Sequence, residues 1–114
     1  MNIGREVVVL SGVRTAIGDY GGALKDIAPT ELAAQVIREA VKRAKVEPQQ
    51  VNQLVFGNVI HTEAKDMYFS RVACIKGGLP QETTALTVNR LCGSGLDAVA
   101  IAARMIRSGE AELV

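Results

Sequence analysis

Aromatic side chains are scarce in this sequence: two Phe, two Tyr and no Trp among 114 residues. Any core must therefore be assembled from Val, Leu, Ile and Ala. Net charge is also nearly absent, with 13 Lys and Arg against 12 Asp and Glu, a formal +1. That balance lacks the basic footprint of a nucleic-acid binder or of a protein drawn to an acidic membrane surface. No apolar run is long enough to span a bilayer. Met1 to Arg5 has neither the apolar region of a signal peptide nor an Arg/Ser-rich transit character, so a cytoplasmic location is expected. The two cysteines, Cys74 and Cys92, do not make a disulfide framework. With no Cys-x-x-Cys pair and a single histidine, no metal site is expected. What remains is 48% hydrophobic and 22% charged, the composition of a globular chain with a real core and of one domain at most.

Glu6 to Leu10 is a short run of β-branched and aliphatic residues, and it predicts a strand buried on both faces. Ser11 to Ile27 is glycine-rich and predicts a surface loop; it carries no Gly-x-Gly-x-x-Gly or Walker pattern for phosphate. A helix should start at Pro29-Thr30-Glu31 with Thr30 as N-cap. Its apolar face should comprise Leu32, Val36, Ile37, Ala40, Val41 and Ala44, with charged residues on the solvated side. Gln53 to Ile60 predicts a second strand, and Tyr68 to Lys76 a second helix stopped by Gly77-Gly78. Leu86 to Val88 predicts a third strand. The helix from Leu96 to Ile106 has so few charges that it should be buried on most sides. Gly109 to Val114 reads as a turn and the start of another strand. Strands alternating with helices imply an α/β layered architecture with a parallel or mixed sheet.

The most informative stretch runs from Val88 to Val99. A β-rich segment, Ala85-Leu86-Thr87-Val88, leads to Cys92, and Gly93-Ser94-Gly95 then opens a helix. This places a thiol at a helix N-terminus, where unpaired N–H groups and the helix dipole favour a thiolate. Only the thiolate is a good nucleophile, so the segment reads as a site of covalent catalysis. A buried structural cysteine is the bland alternative. The flanking glycines argue against it, because they leave room for a substrate beside the sulfur.

Asn89-Arg90-Leu91-Cys92-Gly93-Ser94-Gly95 resembles the acylation-site signature of the thiolases, the acetyl-CoA acetyltransferase family. Ser11 to Gly18 is similar to the family's Arg-Thr-Pro-x-Gly loop, with Ala16 where Pro is usual, and Phe56-Gly57-Asn58-Val59 to its Gly-Asn/Thr-Val. The resemblance implies the thiolase fold, layered α-β-α-β-α, with residues 1–114 as part of the N-terminal domain, cut before that domain ends, and a buried central helix behind the nucleophile. It implies that Cys92 takes an acyl group from acyl-CoA. Deprotonated acetyl-CoA then attacks the acyl group to give 3-ketoacyl-CoA, and the reverse direction is thiolysis. The Cys92 N–H becomes the expected oxyanion donor, Gly93 and Gly95 keep the approach open, and Ser94 is expected to cap the helix. CoA thioesters are substrates and no cofactor is implied. Fatty acid metabolism and a homodimer or homotetramer follow from the family.

The family's activating histidine, its second cysteine and an Asn-Glu motif have no counterpart in this chain. His61 reads as an ordinary loop residue and Cys74 as core packing. The chain alone should therefore not turn over without the remaining part of a thiolase. Arg71 matches a family arginine, but Asp66-Met67-Tyr68 stands where many members have Gly-Gln-Asn; Met67 in that bulkier triplet points to acyl chains longer than acetyl. A 3-ketoacyl-acyl-carrier-protein synthase shares the general fold, yet its motif usually reads Thr-Ala-Cys-Ser-Ser. A non-catalytic assembly module is the reading from another class, and a redox protein lacks a resolving cysteine.

Overall fold

The computed structural model describes residues 4–114. In chain order these form helix α1 (Pro29–Ala44), strand β1 (Gln53–Gly57), helix α2 (Phe69–Lys76), strand β2 (Thr84–Val88) and helix α3 (Ser94–Ser108). Short 3-10 turns at Pro48–Gln50 and Ala64–Tyr68 precede β1 and α2. The strands pair in parallel, from Gln53 opposite Thr84 to Gly57 opposite Val88. Parallel neighbours need a crossover, and α2 supplies it. Both strands therefore end on the same edge, and the connections that leave them emerge side by side.

Alternation along β1 sorts the layers. Leu54 and Phe56 point into a core formed with Ala33 and Ile37 of α1 and with Phe69, Ala73 and Cys74 of α2. The opposite parity faces α3, because a Cβ added at Gly57 would lie 2.9 Å from Ser94. The sheet is thus held between α2, backed by α1, and α3. In a core short of aromatics, the two Phe rings meet edge to face at 5.2 Å. Gly77 lets α1 and α2 come close, since a Cβ there would stand 2.8 Å from the Ile37 side chain.

Polar groups inside the core are tied to backbone. Ser70 Oγ donates to the Leu86 carbonyl at 2.9 Å, and Thr87 Oγ1 donates to Ser70 Oγ at 2.7 Å. Thr83 Oγ1 donates to the Val51 carbonyl at 2.8 Å. These bonds pin the start of α2 to β2 and the start of β2 to the chain entering β1. A buried hydroxyl left without a partner would cost about 1–3 kcal/mol, so the bonds fix the register as well as satisfying the atoms.

Several expectations need correction. Glu6 to Leu10 forms no ladder: Val8, Val9 and Leu10 are 62%, 82% and 52% exposed, and the described residues contain a two-stranded sheet. The segment is anchored at its end, where Ser11 Oγ donates to the Ala40 carbonyl of α1. Apolar β-branched residues favour an extended backbone, but a strand also needs a partner edge aligned with it. The N-cap of helix α1 lies two residues earlier than expected, at Ala28, with Pro29 in the first turn. Thr30 lies inside the helix, fully buried, and its Oγ1 has no partner among the described residues. The buried stripe of α1 is Thr30, Ala33, Ala34 and Ile37; Leu32 and Val36 turn instead toward an open groove beneath Val13 to Ala16.

Strand β1 stops at Gly57, short of Ile60. Gly109 to Val114 forms no strand, although Leu113 lies beside the chain entering β1 and accepts the Asn52 N–H at 2.9 Å. The helix expected to be buried on most sides is packed on one side only. Within α3, Ser94 and Ala98 are buried, while Leu96 and Val99 are 79% and 60% exposed. Its apolar character exceeds the surface that this chain offers to cover it.

Candidate active site

Cys92 stands in the turn between the end of β2 and the start of α3, with Gly93 as the N-cap of that helix. The thiol is free and exposed. Its exposure sets it apart from a packing cysteine, which belongs inside, as Cys74 does. Cys74 is fully buried, its Sγ is 4.0 Å from the Thr83 carbonyl, and burial pushes its thiol above the ordinary range. Mid-helix and sealed, it is the core residue the sequence implied.

The turn that carries Cys92 is closed by its own side chains. The Arg90 N–H donates to Ser94 Oγ at 2.8 Å, and that hydroxyl donates onward to the Leu91 carbonyl at 2.6 Å. The Leu91 N–H donates to Asn89 Oδ1 at 3.0 Å. Gly93 N–H bonds the Arg90 carbonyl and Ser94 N–H the Leu91 carbonyl, both at 3.0 Å. The two amides before Cys92 and the two after it thus have acceptors. The Cys92 N–H is the amide of this turn with no acceptor among the described residues.

These bonds hold Leu91 at φ 49°. A left-handed conformation costs a residue with a Cβ about 1–2 kcal/mol, and such strain persists only where the surroundings over-determine it. Ser94 was expected to cap the helix. Instead Gly93 is the cap, without a side-chain cap bond, and Ser94 is the first helical residue, 4% exposed, with its hydroxyl turned back into the Cys92 turn. The reason is geometric: the Arg90 N–H and the Leu91 carbonyl both lie within hydrogen-bond reach of the Ser94 hydroxyl.

Gly93, Ser94 and Gly95 accompany Cys92 in this turn. A Cβ at Gly95 would meet nothing within 4 Å, and one at Gly93 would meet the Arg90 carbonyl at 3.4 Å. Space beside the sulfur is therefore open. Gly57, which was not singled out as a site residue, provides the floor. Its missing side chain lets β1 approach Ser94 and Gly95, where a Cβ would lie 2.9 Å from Ser94 and 3.0 Å from the Gly95 nitrogen. A glycine at the last position of a strand was the available signal. The Asn89 side chain donates to the Val59 carbonyl at 3.4 Å and joins the two strand ends.

Met67 lies on the connection from β1 to α2 and is 66% exposed, with Tyr68 beside it at 64%. That connection is held by Asp66. Its Oδ2 accepts the Thr62 N–H, the Thr62 hydroxyl and the Glu63 N–H at 2.9–3.0 Å. Burial alone would raise the Asp66 carboxyl; the three hydrogen bonds, with help from His61, outweigh it and hold the group below its ordinary value. His61 itself is exposed, as expected of a loop residue. Arg71 turns its guanidinium to the Thr83 carbonyl at 2.9 Å, a structural bond at the start of β2.

The family model for the thiolase N-terminal domain matches residues 7–114. A beta-ketothiolase of Cupriavidus necator, BktB, is 59% identical over 109 residues, covering 96% of this chain and 28% of that protein. The crystal structure of the Bacillus anthracis acetyl-CoA acetyltransferase superposes with a TM-score of 0.91 at 39% identity, over 97% of this chain and 28% of the other. Human mitochondrial 3-ketoacyl-CoA thiolase, solved in complex with CoA, superposes with a TM-score of 0.79 at 38% identity, over 82% of this chain and 24% of the other. The chain thus spans a little over a quarter of the length of the relatives it matches.

Proposed function

This chain belongs to the thiolase family, within its N-terminal domain, and from that premise we propose that it carries the acyl-accepting cysteine of a thiolase. Cys92 Sγ attacks the thioester carbonyl of an acyl-CoA. The new S–C bond forms as the bond to the CoA sulfur breaks, and the CoA thiolate leaves and takes up a proton. The α-carbanion of acetyl-CoA then attacks the acyl carbon, releasing Cys92 and giving a 3-ketoacyl-CoA. Thiolysis is the same path reversed. The reading assigns no metal and no resident cofactor; CoA thioesters are substrates.

The observation that carries the proposal is the Cys92 turn itself: an exposed thiol at the entrance of α3, beside an amide with no acceptor among the described residues. When the thioester carbonyl becomes tetrahedral, negative charge develops on its oxygen. A preorganised N–H aimed at that position is worth about 3–4 kcal/mol in acyl transfer, by analogy with single oxyanion donors. The Cys92 N–H is our candidate donor. Ser94 acts as a positioning residue through the backbone of Arg90 and Leu91. Gly93 and Gly95 admit the thioester, and Met67 bears on the size of the acyl chain. We read residues 1–114 as one part of the N-terminal domain of a cytoplasmic thiolase of fatty acid metabolism, working as a homodimer or homotetramer. The exposed apolar face of α3 supports further protein packed on it, and the general base and acid for the α-proton come from outside these residues.

Intact mass of the protein before and after acetyl-CoA, followed by peptide mapping, tests this. One acetyl group on the Cys92 peptide, lost in Cys92→Ala, is the expected result. Acylation from carrier protein but not from CoA would move the reading to the synthase class. No adduct from either donor, with a reactive thiol, would overturn it.

A further inference from the structure

Beside the hydrogen bonds that close the Cys92 turn stands a charged contact that the proposed reaction does not require. Asp97 occupies the first turn of α3 and is 16% exposed at its side chain. Its Oδ2 lies 3.2 Å from Arg90 Nε, and its Oδ1 lies 3.7 Å from Arg104 on the same helix. Its backbone N–H donates to the Gly93 carbonyl at 2.9 Å, so the residue is fixed to the N-cap that follows the nucleophile. Arg90 precedes Cys92 by two residues and Asp97 follows it by five. The ion pair therefore closes a ring of chain with the thiol inside it, and the left-handed Leu91 lies within the same ring.

We infer that Asp97 is a positioning residue for Cys92, acting through Arg90: the carboxylate holds the guanidinium, and the guanidinium holds the entry of the turn against α3. The inference rests on the reading of Cys92 as the acyl acceptor but adds a residue to it. The two ends of the clasp differ in a useful way. Asp97 is nearly enclosed, is rooted in a helix and is shared with Arg104, so it is the fixed end. The Arg90 side chain is 75% exposed and hangs from the irregular segment, so it is the movable end. Arg104 keeps the carboxylate oriented along the helix but does not touch the turn. An exposed partner limits the strength of such a pair, and salt screens it within a few ångströms at molar concentration. Its effect should therefore be a modest change in how often the turn is correctly formed, without loss of the fold.

The test is the alkylation rate of Cys92 by iodoacetamide, a neutral probe, measured on the folded protein alongside acylation by acetyl-CoA. Asp97→Asn should slow alkylation about fivefold, the upper range for an exposed pair. Asp97→Glu should recover most of the rate. Arg90→Gln should match Asp97→Asn, and the double variant should be no slower than either alone, because both remove the same link. High salt should slow the parent protein and leave Asp97→Asn unchanged. In acylation by acetyl-CoA the loss should fall on the rate constant of the step, with the half-saturating acetyl-CoA concentration kept. Wild-type alkylation rates in both Asp97→Asn and Arg90→Gln would overturn the inference, as would losses that are additive and not rescued by Glu. Should Asp97→Asn fold poorly, the Arg90→Gln variant at the exposed end and the salt series decide. If acetyl-CoA fails to acylate the parent protein, the thiolase reading falls while the alkylation series still judges the clasp.

Discussion

The connections that leave β1 and β2 emerge from the same edge of the sheet and are built on one plan. Each is closed by a buried polar side chain that bonds back to its own turn: Asp66 for the β1 connection, Ser94 for the β2 connection. They differ in what those bonds achieve. Asp66 is an ion that accepts three hydrogen bonds, and the turn it holds presents Met67 and Tyr68 to the open edge. Ser94 is neutral and both accepts and donates, and the turn it holds stores a left-handed leucine directly before Cys92. The first turn is held by a charge, the second by a hydroxyl that closes it without adding one.

The largest predicted effect breaks both turns together. Gly57→Ala places a methyl group 2.9 Å from Ser94, against backbone of α3 as well as side chain. Overpacking of this kind costs about 1–3 kcal/mol, and here the displaced element is the one that seats Cys92. Thermal unfolding should drop by that amount and acylation of Cys92 should fall with it. Retention of full acylation would separate the floor from the seat.

A smaller and more selective effect is expected from Ser94→Ala. The Arg90 N–H loses its acceptor, while the Leu91 carbonyl loses one of two donors and keeps the Ser94 N–H, at about 0.5–1.5 kcal/mol for each hydrogen bond removed. Alkylation of Cys92 should slow while the exchange protection of the Thr62 and Glu63 amides stays unchanged. Equal loosening of both connections would show that they form one unit.

The smallest effect is a matter of pH and belongs to the β1 connection alone. Burial raises the Asp66 carboxyl, but its hydrogen bonds to Thr62 and Glu63 hold the folded group below its ordinary value. Its stabilising contribution is therefore present in full above that value and is lost as pH falls through the lower folded value. Amide exchange at Thr62 and Glu63 should accelerate in that acid window, with the Arg90 and Leu91 amides following only on global unfolding. In Asp66→Asn the acid step should vanish. Simultaneous release of both turns would erase the contrast between the ionic and the neutral closure.

Much of this was legible along the chain, and the misses share a cause. The Cys92 turn, the helix behind it, the parallel pairing of β1 and β2 and the sealed Cys74 follow from local pattern. The readings that failed each depended on what lies across space. Glu6 to Leu10 has the residues of a buried strand, yet a strand is a relation between two edges. The apolar surround of α3 promised burial that the described residues do not provide. Ser94 has the identity of a cap, but its hydroxyl found better partners behind it.

The amino-acid order by itself determined which thiol is chemically placed, because a cysteine ahead of Gly-Ser-Gly at a helix start is a local arrangement fixed by backbone preferences. It also determined the α/β character, through apolar periods that change from strand to helix. Only the tertiary structure decided that Gly57 is the floor of the site, that Asn89 joins the strand ends, that Leu91 is held left-handed and that Asp97 reaches back to Arg90. Each of those is a contact between groups that no periodicity relates. Their energies depend on distances of a few ångströms, which exist only once the chain has folded.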